Sequence, residues 1–278
     1  MRAMDTWVIS LAQAQERRAF QRQQLQALGL TAVFVDATQR EQVAPHLQGL
    51  RSDAWERVLM PTELACFASH YRVWQQVAQR QAPVLVLEDD AMLSTRSVQF
   101  LRALPSLQGI DHLSLETRLR HKLLGSVEPL AGAAADMGVA RLFQDRTGAA
   151  AYVLWPSGAQ RLVSRAQRCG VALADAFIAN DAGLRSFQAV PPMAFQADIA
   201  RFYGVPEPLK TVSYIQAHGP RADFQSAPRA VLWRMKARRL RTQLSQAGRW
   251  LAALGRARRQ RLGPDPLGFV FSQAPKQP

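Results

Sequence analysis

The chain of 278 residues is 48% hydrophobic and carries 35 Lys and Arg against 21 Asp and Glu, a formal net charge of +14. That length and apolar share allow one large core with an appendage, while no stretch approaches the roughly 18 apolar residues of a membrane span. The first apolar run, Trp7-Val-Ile, is too short for a signal-peptide core, and Cys66 and Cys169 have neither metal-ligand nor disulfide-framework spacing. Two buried thiols in a cytoplasmic protein are the expectation.

Trp7–Ser10 reads as a first strand, followed by a Gln/Arg/Ala-rich helix over 14–28 that Gly29 stops. Ala32–Asp36 is a second strand ending in an acid. Strand, helix, strand is the opening unit of a nucleotide-binding α/β sheet, yet no Gly-x-Gly-x-x-Gly turn follows the first strand, which argues against a dinucleotide fold. Residues 38–60 show no period and are expected to be loop with short helical pieces. Pro61 and Thr62 open a helix to about residue 79, with Thr62 as N-cap, Glu63 at the positive helix start, and Leu64, Phe67, Ala68, Tyr71, Trp74 and Ala78 on one face. On that helix His70 by itself reads as a core or capping histidine.

The run Val84-Leu-Val-Leu-Glu-Asp-Asp90 stands out. Four apolar, strand-favouring residues with Pro83 before them predict a strand buried on both faces, and ligands of open α/β sheets bind at the carboxyl ends of such strands. Three adjacent carboxylates there repel one another and call for a cation. Alternation puts Glu88 and Asp90 on one face and Asp89 on the other, so Glu-x-Asp is a plausible oxygen clamp for Mn²⁺ or Mg²⁺.

Downstream, residues 97–104 read as helix and 111–116 as a short strand ending at Glu116. The Ala/Gly-rich passage 130–139 reads as a mobile loop, 147–154 as a strand at its end, 156–166 as helix, and 187–190 as a last strand cut off by Pro191-Pro192. From 200 to 227 the period fades. Eleven Arg or Lys and no acid lie between Phe224 and Pro264, so most of the positive charge belongs to this tail and says little about the fold. Val231, Leu232, Met235, Leu240, Leu244, Trp250 and Leu251 interleave with its arginines, as in helices that lie on an anionic membrane. Nucleic acid is the less favoured partner, because a basic patch alone does not distinguish phosphate polymers; a solvated Arg/Ala-rich end is the remaining reading.

Five blocks in order resemble glycosyltransferase family 25, the lipopolysaccharide and lipooligosaccharide β-galactosyltransferases. They are Val8-Ile-Ser-Leu with Glu16-Arg-Arg18, Glu63-Leu-Ala-Cys-Phe-Ala-Ser-His70, Val86-Leu-Glu-Asp-Asp90, Leu115-Glu-Thr117 and Thr147-Gly-Ala-Ala-Ala-Tyr152. Leu173-Ala-Asp175 is similar to the family's Pro-Val-Asp element but departs from it at two positions. The resemblance implies a GT-A-like α/β domain with a mainly parallel sheet over 1–223, ahead of a basic helical tail over 224–278. It implies transfer of a hexose, galactose favoured, from a UDP-sugar to a lipid-linked saccharide acceptor, at the cytoplasmic face of the inner membrane. Glu88 and Asp90 would hold the metal; Ser10, Arg17, Glu63 and Asp89 would serve the donor; His70 would contact the phosphates or brace the acids. Asp175 is the first choice of general base, with Glu116 and Asp181 behind it. His218 and Gln196 are possible further metal ligands. The competing class is a non-catalytic protein that keeps the fold and is tethered by its tail.

Overall fold

The computed structural model describes residues 4–104, 107–145, 148–209 and 229–270. The chain opens with strand β1 (Asp5–Ser10), helix α1 (Gln15–Ala27) and strand β2 (Ala32–Asp36), and β1 and β2 pair in parallel with Ser10 opposite Asp36. A 3₁₀ turn (Arg40–Gln42) and the short helix α2 (Val43–His46) occupy the aperiodic stretch, as expected of it. Helix α3 (Pro61–Val77) follows, then β3 (Val84–Glu88), parallel to β1 on its other side. The N-cap of α3 is Met60, not Thr62. Proline is favoured at the first helical position because its missing N–H is an orphan there anyway. Capping then falls to Glu63, whose carboxylate accepts the Met60 N–H at 2.9 Å.

Next come β4 (Ala91–Leu93), α4 (Ser97–Ala103), β5 (His112–Ser114), β6 (His121–Pro129), β7 (Gly138–Gln144) and β8 (Ala151–Leu154). After them lie α5 (Pro156–Cys169), α6 (Ala174–Ala179), β9 (Ser186–Val190), β10 (Ala194–Gln196), the long helix α7 (Arg229–Ala252) and β11 (Arg258–Arg261). Among the described residues nine strands form one sheet in the order β11-β6-β7-β9-β5-β8-β3-β1-β2, and β4 pairs with β10 beside it. Strands β2, β1, β3, β5, β9 and β6 run one way, and β8, β7 and β11 run against them. The sheet is therefore mixed: most strands share a direction, but β8 enters between β3 and β5 antiparallel to both. The passage 130–139, expected as a mobile loop, is the turn of the β6–β7 hairpin, with Ala134 and Met137 buried and the Leu130 N–H bonded to Met137 O at 2.9 Å.

Helices cover both faces. Val84 and Val86 point into a core with Trp7, Phe67, Trp74 and Phe177 beneath α3, α5 and α6, while Leu85 and Leu87 point into a second core with Leu25, Phe100 and Val153 beneath α1 and α4. Burial on both faces is why this strand reads as a continuous apolar run.

The boundary drawn at 223/224 falls outside the described residues. Beyond it, α7 lies along the body. The Arg238 guanidinium donates to Asp53 O, Gln246 donates to Asn180 at 3.2 Å, and Arg249 donates to Ala179 O at 2.7 Å. β11 adds the edge strand next to β6, and Asp265, fully buried, accepts the Ser94 hydroxyl at 2.6 Å and pairs with Arg96 at 3.2 Å.

Candidate functional site

The three acids sit where β3 ends, beside the end of β1. Asp89 points toward α1: it accepts the Ser10 hydroxyl at 2.7 Å and the Arg17 guanidinium at 2.8 Å. Arg17 is on the first turns of α1, where the unpaired helix N–H groups also favour an anion. Gln21, one turn on and wholly buried, donates to the backbone oxygens of Asp89 (3.3 Å) and Ala91 (2.8 Å), and so pins the turn that presents the acids.

Glu88 and Asp90 face the other way, together. The Gln196 amide reaches both, 3.4 Å from Glu88 Oε2 and 3.4 Å from Asp90 Oδ1, and Arg118 donates to the Gln196 carbonyl. Burial, and then the neighbouring Glu88 charge, push the Asp90 carboxyl up to about 7, with Arg17 opposing. Two half-buried carboxylates sharing a site leave one costly to ionise unless a cation offsets it. Paired carboxylate oxygens suit a hard divalent ion, so Glu88 and Asp90 fit as holders of Mn²⁺ or Mg²⁺.

Behind Glu88 a buried relay runs into the core. Trp74 Nε1 donates to the Tyr152 hydroxyl at 3.0 Å, that hydroxyl lies 2.9 Å from His70 Nδ1, and His70 Nε2 lies 3.1 Å from Glu88 Oε1. Indole N–H can only donate. At the other end an ionised Glu88 can only accept, so Nε2–H donates to it, and in the neutral ring Nδ1 then accepts the proton of the Tyr152 hydroxyl, whose oxygen accepts from Trp74. His70 is 1% exposed, so it braces the acid from inside while one edge reaches the site. Cys66, one turn earlier on α3, brings its sulfur to within 4.8 Å of a His70 ring nitrogen and a Glu88 carboxylate oxygen.

A cavity of about 500 Å³ opens over this end of the sheet, lined by Ser10, Arg17, Thr38, Cys66, His70, Glu88, Asp89, Asp90 and Gln196 among others. Of the residues singled out from the sequence, it thus gathers Ser10, Arg17, His70, Glu88, Asp89, Asp90 and Gln196. Glu63 is not in the lining; it caps α3 and holds Arg57 through two bonds of 2.6 and 2.7 Å.

The base candidates lie to the side. Glu116 is 2% exposed and accepts the Ala150 N–H at 3.0 Å, while Ala150 O accepts the Glu88 N–H at 2.8 Å, so Ala150 links the Glu116 carboxylate to the Glu88 backbone. Burial raises the Glu116 carboxyl to about 8, helped by the Glu88 and Asp145 charges against that of Lys122. Asp175 stands on the first turn of α6 and accepts the Ala176 N–H at 2.6 Å. Burial pushes its carboxyl up, and Glu88 adds to the push. Asp181 is held by Arg161 (2.7 and 2.9 Å) and the Gly183 N–H, a structural arrangement away from the acids. His218 lies outside the described residues. Tyr152 and Trp74 carry no site signal of their own in the sequence. Gln21 does: it is a polar side chain on the stripe shared by Leu25 and Leu28, a place where a buried amide must find partners.

Residues 3–178 match the model of glycosyltransferase family 25 (LPS biosynthesis protein). The chain is 35% identical over 104 residues to the lacto-N-neotetraose biosynthesis glycosyltransferases LgtE and LgtB of Neisseria gonorrhoeae, a stretch that is 35% of this chain and 36% of each relative. It is also 35% identical over 96 residues to the probable inactive glycosyltransferase 25 family member 3 of Rattus norvegicus, 31% of this chain and 17% of that protein. The matched stretches thus span about a third or less of these relatives. With more than half of its length under the family model, the chain belongs to glycosyltransferase family 25.

Proposed function

We propose that this protein is a GT-A-like glycosyltransferase that moves a hexose, galactose by preference, from a UDP-sugar to a saccharide of the lipopolysaccharide or lipooligosaccharide type, with inversion. The observation that carries the reading is the convergence of Arg17, His70, Glu88 and Asp90 on one cavity at the carboxyl ends of β1 and β3. The family supports it, as do the names of the Neisseria relatives.

In this reading Glu88 and Asp90 hold a Mn²⁺ or Mg²⁺ ion, which when bound offsets the charge that develops on the departing diphosphate. Arg17 adds a fixed positive charge beside it, kept in place by Asp89 and Ser10. His70 fixes the Glu88 carboxylate. The acceptor hydroxyl attacks the anomeric carbon, its proton passes to Asp175, and the sugar–phosphate bond breaks with the electron pair leaving on UDP. A partly buried carboxylate with a raised proton affinity suits that task better than an ordinary exposed one. Glu116 is the second choice for the base.

The tail supports a membrane partner. Trp233, Leu240, Leu244 and Leu251 are 71, 56, 64 and 59% exposed, and spacings of seven, four and seven place them on one face of α7. The opposite face, with Arg238, Gln246 and Arg249, is the one bonded to the body. Arg234, Lys236 and Arg241 flank the apolar stripe in the sequence. This is the pattern of a helix lying in an anionic interface. No helix among the described residues is long and apolar enough to cross a membrane. A cytoplasmic enzyme held at the inner membrane beside a lipid-linked acceptor follows from this reading.

The test is UDP release from UDP-galactose and UDP-glucose with Mn²⁺ and a saccharide acceptor. Release that depends on Mn²⁺ and is lost in Asp90→Asn is the expected result. No release from any UDP-sugar would favour a non-catalytic member, as the rat relative's name describes for that protein.

A further inference from the structure

A second cavity, of about 390 Å³, lies where the C-terminal segment closes against the body, and Arg120, Lys122, Asp145, Trp250, Arg259 and Arg261 line it. Three elements far apart in sequence build it. β11 pairs antiparallel with β6, setting Arg259 opposite Leu123 and Arg261 opposite His121. Alternation along the strand puts Arg259 and Arg261 on the same face, and both line the cavity whereas Arg258 does not. Trp250, from the last turn of α7, supplies a half-exposed indole at the wall.

The charge in this cavity is one-sided. Asp145 is the acid in the lining, and it is already engaged with the buried Lys122 ammonium at 2.8 Å. Among the described residues neither Arg259 nor Arg261 forms an ion pair, and with Arg120 they bring three guanidinium groups to one hollow. Guanidinium forks match the oxygens of phosphate and carboxylate groups in pairs. An indole face beside them offers flat apolar area with an N–H at its edge. A small inorganic anion would use the forks and leave that ring idle; a sugar that bears an acidic group would use both.

We infer that this cavity is a binding site for an acidic saccharide, its phosphate or carboxylate held by Arg259, Arg261 and Arg120 and its ring against Trp250. The inference rests on the glycosyltransferase reading only in naming the saccharide as acceptor. The cavity has a neighbour for that role: Lys122 in its lining donates to the Glu116 carbonyl at 3.0 Å, and the charges of Arg120 and Asp145 act on Asp175. An acceptor anchored here by its acid group would lie next to the segment that carries Glu116. The arginines of β11 would then serve substrate selection, apart from any membrane role of α7.

The test is calorimetric binding of glucose 6-phosphate, glucose and inorganic phosphate to the full-length protein. Glucose 6-phosphate is expected to bind most tightly and glucose not measurably. Arg259→Gln with Arg261→Gln should weaken glucose 6-phosphate at least tenfold, and Trp250→Ala should bring it down to the level of inorganic phosphate. Arg258→Gln, on the same strand but outside the cavity, should change nothing, and thermal melting of each variant separates lost folding from lost binding. Unchanged glucose 6-phosphate binding in the double variant overturns the inference, as does inorganic phosphate binding equally well to wild type. Loss of binding to phosphatidylglycerol vesicles in the same double variant would assign the arginines to lipid headgroups and overturn it too. UDP with Mn²⁺ should stabilise wild type and double variant alike. If UDP binds neither, the glycosyltransferase reading fails while the cavity result stands; if it binds only wild type, the cavity is a donor site and the inference falls.

Discussion

His70 Nε2 lies 3.1 Å from Glu88 Oε1, and the same ring is held on its other side by Tyr152 at 2.9 Å. The acid at the mouth of the cavity is thus connected through one histidine to the middle of the core. An ionised Glu88 can only accept and Trp74 can only donate, so with a neutral ring the protons along the chain point from the core toward the acid. Tyr152→Phe keeps the packing but leaves the Trp74 N–H and His70 Nδ1 buried without partners. We predict a loss of about 1–3 kcal/mol in urea unfolding and a lower apparent affinity for Mn²⁺ in the UDP-release assay. A variant with unchanged metal dependence would show that the relay is structural only.

Glu116 gives a prediction about pH. Its carboxyl titrates at about 8 in the folded chain against an ordinary value of 4.5. Across that window the folded protein keeps a proton that the unfolded chain has released, so stability falls as pH rises from 4.5 to 8 and levels off above. Glu116→Gln cannot ionise and lacks this contribution. It should match wild type near pH 4 and exceed it by a few kcal/mol at pH 9, measured by urea unfolding without added metal. Parallel profiles for the two proteins would contradict the assignment.

Asp90 and Asp175 should fail in different ways. Asp90→Asn removes half of the oxygen clamp and should abolish both Mn²⁺-dependent stabilisation by UDP and transfer. Asp175→Asn should lower kcat by about 10²–10⁴-fold, the range for loss of a general base, with UDP-sugar affinity nearly unchanged. If Glu116→Gln shows that second pattern and Asp175→Asn does not, the proton goes to Glu116.

The outward stripe of α7 can be separated from its docked face. Replacing Leu240, Leu244 and Leu251 with Ser should reduce co-sedimentation with anionic vesicles at least tenfold and leave the melting temperature within a few degrees, since these side chains touch solvent. Equal vesicle binding would rule out the stripe as the contact.

Much of the acid-bearing half of the molecule can be read from residues alone. Val84–Leu87 is apolar throughout because both its faces are covered, and strand alternation is enough to put Glu88 and Asp90 side by side. The hairpin of β6 and β7 is illegible for a physical reason. Lys122 is buried within β6, bonded to Gln188, Asp145 and the Glu116 carbonyl, and the register shifts between Leu124 and Val127, so no two-residue period survives. β11 reads Arg-Arg-Gln-Arg, which has no strand preference of its own; pairing with β6 decides it. The role of Tyr152 is hidden because it depends on three residues that meet only after folding.

That late strand has a consequence for how the protein is made. The β1–α1–β2 unit is local and can assemble early, whereas the edge of the sheet waits for residues 258–261, after 121–124 have already been exposed to solvent for the synthesis of well over a hundred further residues. Until β11 arrives, β6 offers an unpaired backbone to any neighbouring chain. A chain stopped before Arg229 would keep the acids, the histidine and their cavity, but would also keep that open border. It should give material that aggregates during production although every donor-site residue is present.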